Sequence, residues 1–212
     1  MAAHRRIFNL VFDPATCLTL LGAALSLASM AFAARGAFEA MALCAIWAGI
    51  CDFLDGPLAR ALPSRDPGRP AFGAHLDSLV DMVCFGVAPV AVAWLIGNRT
   101  ALDAVLSLCY LVCAAQRLAF FGVQEDNGGG GARRHFTGLP VTFASLFFAL
   151  AYPLSRLADG RIFPWALRAV MASLALLFVG NFRMPKPRGV FYPIFILIAL
   201  GLSAFWIVGL LG

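Results

Sequence analysis

Cys51–Asp81 reads CDFLDGPLARALPSRDPGRPAFGAHLDSLVD and sets four carboxylates inside or beside two strongly apolar segments. Asp52 and Asp55 are three residues apart, and Gly56, Ala59 and Arg60 follow on the same predicted helix. After a polar, proline-rich link, Gly73, Asp77 and Asp81 recur at intervals of four. Helical residues three or four apart share a face, so each pair aims its carboxylates in one direction. Two such helices side by side would converge the four groups on one point. Carboxylates packed together repel unless something cationic sits among them. A hard divalent cation that prefers oxygen ligands, such as Mg²⁺, Mn²⁺ or Ca²⁺, meets that need. A single aspartate at the end of a membrane helix would read as a cap or an interface residue. Four on matching faces, with glycines at the same pitch, point instead to a functional site, because ionisable groups in apolar spans are costly.

The surrounding chain explains why these helices are membrane helices. Apolar residues make up 61% of the 212 and charged residues only 13%, against about 25% charged in a soluble domain. Mean hydropathy is +0.85, and the apolar residues come in long runs rather than in stripes, as spanning helices require. The first run is long and lacks a small-residue cleavage pattern, so no cleavable signal peptide is expected. Cys17, Cys44, Cys51, Cys84, Cys109 and Cys113 all fall in apolar runs without a CxxC pair. They read as small core hydrophobes, not as disulfides or zinc ligands.

In chain order, residues 1–12 carry the basic head His4-Arg5-Arg6 and suit an N-terminal segment lying on the membrane surface. Asp13-Pro14 is a helix start signal. Spans are predicted over Ala15–Ala34, Phe38–Ala61, Phe72–Ile96 and Ala101–Phe121, with turns at Arg35-Gly36 and Gly97-Asn98 and an exposed link over Leu62–Pro70. Gln124–Thr137 is the most polar loop. Its four consecutive glycines read as flexible chain, since the strand context of a phosphate-binding loop is missing. Arg133, Arg134 and His135 in that loop read as anchors for anionic lipid. Three further apolar runs follow at Leu139–Leu157, Phe163–Val179 and Val190–Leu211, with a basic link over Asn181–Gly189. The expectation is an all-α, polytopic bundle of six to seven spans, a single membrane-embedded domain over residues 1–212. With the N-terminus inside, ten basic residues fall on the cytoplasmic side against five on the other, which favours a cytoplasmic N-terminus and a cytoplasmic carboxylate cluster in the cell (inner) membrane. The net charge of +5 suits anionic headgroups, and no soluble basic domain offers itself to nucleic acid.

Arg60 falls at the cytoplasmic end of the second span, within reach of the same cleft. Carboxylates, a divalent cation and an arginine make a site for a phosphate-bearing substrate. Gly56, Ala59 and Gly73 leave room for a ligand or a facing helix, and a spare carboxylate is available as general base. Displacement at a phosphate of a lipid-linked substrate fits these parts. The competing class is a divalent-cation transporter, but the acidic residues gather at one interface, and the second half holds no matching repeat. His75 lies off the Gly73/Asp77/Asp81 face, and His4 carries no signal.

Asp52-x-x-Asp55-Gly56-x-x-Ala59-Arg60 followed by Gly73-x-x-x-Asp77-x-x-x-Asp81 resembles the signature of the CDP-alcohol phosphotransferases, with all eight positions present in order. The resemblance implies an integral membrane enzyme with a core of six spans, often a homodimer, with two divalent cations (Mg²⁺ or Mn²⁺) in its site. Such an enzyme moves a substituted phosphate from a CDP-linked donor to an alcohol and releases CMP. It implies that Asp52, Asp55, Asp77 and Asp81 ligate metal, that Asp81 serves as base, and that Gly56, Ala59, Arg60 and Gly73 line the CDP site. Leu76–Pro89, Phe136–Pro140 and Asn181–Pro185 are similar to the branch that joins CDP-diacylglycerol to L-serine. Residues 190–211 look like an extra C-terminal span found in some members. That branch usually carries Arg-Leu-x-Arg/Lys-Phe-Asn at the end of the fourth span, where this chain has Arg117-Leu118-Ala119-Phe120-Phe121-Gly122. Arg117 is the candidate for the acceptor carboxylate, its other reading being an arginine that snorkels from a helix end. Choline, inositol, glycerol phosphate and inositol phosphate stay open as acceptors.

Overall fold

The computed structural model describes residues 13–62, 69–126, 135–157, 162–185 and 191–211. The basic head, most of the Leu62–Pro70 link, the four glycines and Arg133-Arg134 lie outside the described residues. Helix α1 (Pro14–Ala34) starts as the Asp13-Pro14 signal predicts, with Asp13 in extended backbone and proline in the first turn. Helix α2 (Phe38–Ala61) follows a turn closed by the Ala37 N–H on the Phe32 carbonyl. The two helices pack along one seam. Buried Ala15, Thr19, Gly22, Ser26, Ser29 and Ala33 recur on α1 at alternating intervals of four and three. Lipid tails are as apolar as leucine, so close approach of small side chains drives such pairing. A methyl on Gly22 would already touch the Ala48 carbonyl and Cys51 Cβ at 3.4 Å.

The third span is less regular than expected. Helix α3 (Arg69–Asp81) begins before Phe72, with Pro70 in its first turn where no N–H is needed. A π-helical turn, Met82–Val87, then leads into α4 (Ala88–Leu95). Helix α5 (Ala101–Asp126) runs five residues beyond the predicted Phe121. It opens on a reciprocal cap: the Thr100 N–H donates to Asp103 Oδ2 at 2.9 Å and the Asp103 N–H to Thr100 Oγ1 at 3.4 Å. Buried Asp103 also receives both arms of Arg168, at 2.8 and 3.0 Å. That fork ties the start of α5 to the later helix Ile162–Val179.

A strand, β1 (His135–Thr137), precedes the run expected to span at Leu139–Leu157. Instead of one long helix the run forms α6 (Phe143–Ala151) and α7 (Leu154–Leu157), interrupted at Tyr152-Pro153, where proline removes an N–H. It still carries the chain from one end of the bundle to the other. The Leu139 N–H bonds the Leu177 carbonyl near the end of α8 (Ile162–Val179), whereas Arg156 pairs with Glu39 at the start of α2. Strand β2 (Arg183–Pro185) pairs antiparallel with β1, Phe136 opposite Met184, and α9 (Phe191–Leu211) closes the chain. This two-stranded ribbon is an addition to the all-α expectation. Six helical segments among the described residues are long and apolar enough to cross a membrane, namely Pro14–Ala34, Phe38–Ala61, Ala71–Leu95, Ala101–Gln124, Ile162–Val179 and Pro193–Leu211. The protein is a multi-pass membrane protein.

The six cysteines are free, but only Cys51 and Cys84 are buried. Cys17 and Cys109 lie on exposed helix faces, a correction to their reading as core residues: in a membrane helix an apolar run is apolar on its outer face too. A tight helix contact lies at Gly49, where an added Cβ would sit 2.5 Å from Ser145 Oγ and 2.6 Å from Ser145 Cβ. Gly49→Ala should therefore lower stability by about 1–3 kcal/mol, read as a lower melting temperature in detergent. An unchanged transition would mean that α2 and α6 do not pack this closely.

Candidate metal and phosphate site

The aspartate-bearing end of α2 meets α1 through Thr19 and Asp55, and α3 also packs on α1. Asp52, Asp55 and Asp77 each offer a carboxylate oxygen, and the three oxygens lie within 4.8 Å of one another. Asp81 stands beside them, its carboxyl in hydrogen-bond contact with Asp52. It is 7% exposed, and its Oδ1 is buried with no hydrogen-bond partner among the described residues. The four predicted carboxylates thus converge as a triad with a fourth, buried member beside it. Groups packed this closely repel unless a proton or a cation stands between them. An oxygen-only donor set with an unsatisfied oxygen next to it fits a hard divalent cation.

Thr19 is the member of this site that the spacing did not reveal. Its hydroxyl donates to Asp55 Oδ2 at 2.5 Å, and the Gly56 N–H also bonds the Asp55 carboxylate. Buried Asp55 is thereby fixed in direction from two sides. Thr19 sits 36 residues away in sequence, and the only sign of it is a polar side chain on the small-residue seam of α1.

The predicted CDP-site residues divide. Arg60 is exposed and folds back along α2, so that a Cβ on Gly56 would lie 3.4 Å from its Nη1. This brings the guanidinium within electrostatic reach of Asp55. Ala59 is exposed, and nothing lies within 4 Å of where a Gly73 side chain would begin, so both border open space. His75 is exposed, as its position off the carboxylate face predicts.

Arg117 does not snorkel. It is 4% exposed and donates from Nε to the Leu139 carbonyl at 2.9 Å, with Phe121 under its guanidinium at 5.8 Å. Leu139 follows Gly138, where a φ of +78° and carbonyls that an added Cβ would meet at 2.9 Å (Gly180 O) and 3.0 Å (Phe178 O) admit only glycine. The Gly138 N–H in turn bonds the Phe182 carbonyl at 2.8 Å. Phe136–Pro140 and Asn181–Pro185, far apart in sequence, are therefore one unit built on the ribbon, and Arg117 is fastened to it.

Residues 13–206 match the protein family described as CDP-alcohol phosphatidyltransferase. The chain is 40% identical over 110 residues to a CDP-diacylglycerol–serine O-phosphatidyltransferase of Saccharomyces cerevisiae, covering 49% of this chain and 38% of that protein. It is 32% identical over 194 residues to the enzyme of the same name from Mycobacterium leprae, covering 89% of this chain and 63% of that one. An archaetidylserine synthase of Methanothermobacter thermautotrophicus is 26% identical over 173 residues, covering 81% and 69%. The chain spans less than two thirds of the length of the first two of these relatives.

Proposed function

The chain belongs to the CDP-alcohol phosphatidyltransferase family, a family of transferases, and on that premise we propose that it moves a phosphatidyl group from CDP-diacylglycerol to the hydroxyl of L-serine, releasing CMP. The observation that carries this reading is the convergence of Asp52, Asp55 and Asp77 at the end of α2 and on α3, with Asp81 beside them. Asp52, Asp55, Asp77 and Asp81 would hold two divalent cations, Mg²⁺ or Mn²⁺. When bound, these supply positive charge at the pyrophosphate of the donor.

The chain's own residues do the rest. Thr19 and the Gly56 N–H keep Asp55 aimed at the cluster. Arg60, with Gly56 and the open flank at Ala59 and Gly73, receives the CDP end of the donor and offsets charge on the departing CMP. Asp81 takes the proton of the acceptor hydroxyl. The freed oxygen bonds the phosphorus that carries diacylglycerol, and the pyrophosphate P–O bond to CMP breaks. An apolar groove between α2, α6 and α9, lined by Gly49, Ile50, Phe53, Ser145, Phe195 and Leu202, offers one acyl chain a bed beginning at the neighbour of Asp52.

Serine is supported by the relatives, whose names share serine. It is also supported by the ribbon, where two of the stretches that resemble the serine branch meet beside Arg117. Arg117 supplies the cation for the serine carboxylate. We further assign the site to the cytoplasmic face of the cell membrane, on the distribution of basic residues, and the active form to a homodimer, on family resemblance.

Purified protein should be given CDP-diacylglycerol, Mg²⁺ or Mn²⁺, and one alcohol at a time: L-serine, choline, inositol, glycerol phosphate or inositol phosphate. CMP release should be fastest with serine. Serine at background while another alcohol releases CMP would sink the acceptor assignment and leave the transfer chemistry. No CMP with any alcohol, together with ion flux in proteoliposomes, would return the site to a transporter.

A further inference from the structure

Asp81 is followed at once by the π-helical turn Met82–Val87, in which the Ala88 N–H reaches back five residues to the Val83 carbonyl. A π turn holds one residue more than an α turn, so it offsets the flanking segments by about 100° around the helix axis. On one side lies α3 with Asp77 and Asp81. On the other lies α4, packed on α1 through a buried face that includes Ala88, Pro89, Val92 and Ala93. The offset therefore decides which way the two carboxylates face when α4 is seated.

Two residues hold this turn. Pro89 has no N–H, so the Phe85 carbonyl lacks the donor that an α-helix would provide from position 89. Tyr110 of α5, fully buried, donates its hydroxyl to that carbonyl instead. Its ring is held edge-on by Phe148 at 6.1 Å and tilted against Phe178 at 5.6 Å. Gly86 leaves the space into which Met82 folds, since a Cβ there would lie 2.9 Å from the Met82 sulfur.

We propose that Tyr110 is a positioning residue for the aspartate site: together with Pro89 it holds the π turn that points Asp77 and Asp81 at Asp52 and Asp55. The proposal rests on the reading of that cluster as a metal and phosphotransfer site. Pro89→Ala restores the missing N–H and lets the helix close into α register. Tyr110→Phe keeps the ring and removes the hydroxyl.

The test uses full-length protein in detergent, with spin labels at exposed His75 on α3 and exposed Phe120 on α5 in a cysteine-free background. Pro89→Ala should change the label-to-label distance by several ångströms while the melting temperature stays level or rises. Mn²⁺ affinity, read from free Mn²⁺ by electron paramagnetic resonance, should fall about tenfold or more, and kcat for CMP release should fall with it, as misplaced reacting groups cost up to about 100-fold. Tyr110→Phe should move the label distance, the Mn²⁺ affinity and kcat in the same direction. An unchanged label distance in Pro89→Ala, whatever the activity, overturns the proposal. A moved distance in a protein whose wild type binds no Mn²⁺ and releases no CMP would instead keep the aiming role of the turn and remove the site's assigned chemistry.

Discussion

Asp81→Asn is expected to cut CMP release by about 10²–10⁴-fold, the usual contribution of a positioned general base, while the bundle stays folded. The substitution keeps the volume of the side chain and removes only its charge. Asp81 is buried against Asp52, with Asp77 and Asp55 acting on it through space. Removing one negative charge from such a group relieves repulsion, so without metal the melting temperature should match or exceed that of the wild type. Loss of turnover without loss of stability separates a base from a structural residue. Near-normal CMP release at saturating metal would remove Asp81 from that role.

Asp77→Asn should act on the metal. Asp77 is the contribution of α3 to the triad that Asp52 and Asp55 form on α2, so its charge is what α3 adds to an oxygen-only donor set. The Mg²⁺ or Mn²⁺ concentration for half-maximal rate should rise by at least about tenfold, since even outer partners of a metal ligand are worth about 10–100-fold. Asp52→Asn should behave alike, being a member of the same triad. Metal titrations of CMP release decide this, and an unshifted half-saturation point would mean that the triad does not hold the ion the reaction uses.

Much of this site is legible in the sequence because helical periodicity alone aligns Asp52 with Asp55 and Asp77 with Asp81. Costly charges in apolar runs then mark the faces that matter. Contacts between helices are another matter. Thr19 is bound to Asp55 across two helices, and a lone threonine in a span carries no spacing signal. The ribbon pairs Phe136 with Met184, residues on opposite sides of three helices in the chain. Both stretches are recognisable by resemblance, but nothing in either shows that they meet. Arg117 reads as a helix-end residue because α5 is expected to stop at Phe121. The helix continues to Asp126, which leaves Arg117 inside the bundle, where its Nε needs the Leu139 carbonyl. At the break between α6 and α7 the sequence holds a signal in Pro153, yet the run is predominantly apolar on both sides of it and looks like one span. The π turn leaves only the trace of Pro89, since a change from four- to five-residue hydrogen bonding alters no periodicity over so short a segment.

In the proposed reaction this aspartate site joins serine to the phosphatidyl group of CDP-diacylglycerol. Labelled L-serine, CDP-diacylglycerol and Mn²⁺ given to the purified wild type should yield lipid-extractable serine label and CMP in equal amounts, with both reduced about 10²–10⁴-fold in Asp81→Asn. CMP appearing without serine label in the lipid, or label entering lipid as readily in Asp81→Asn as in the wild type, would contradict it.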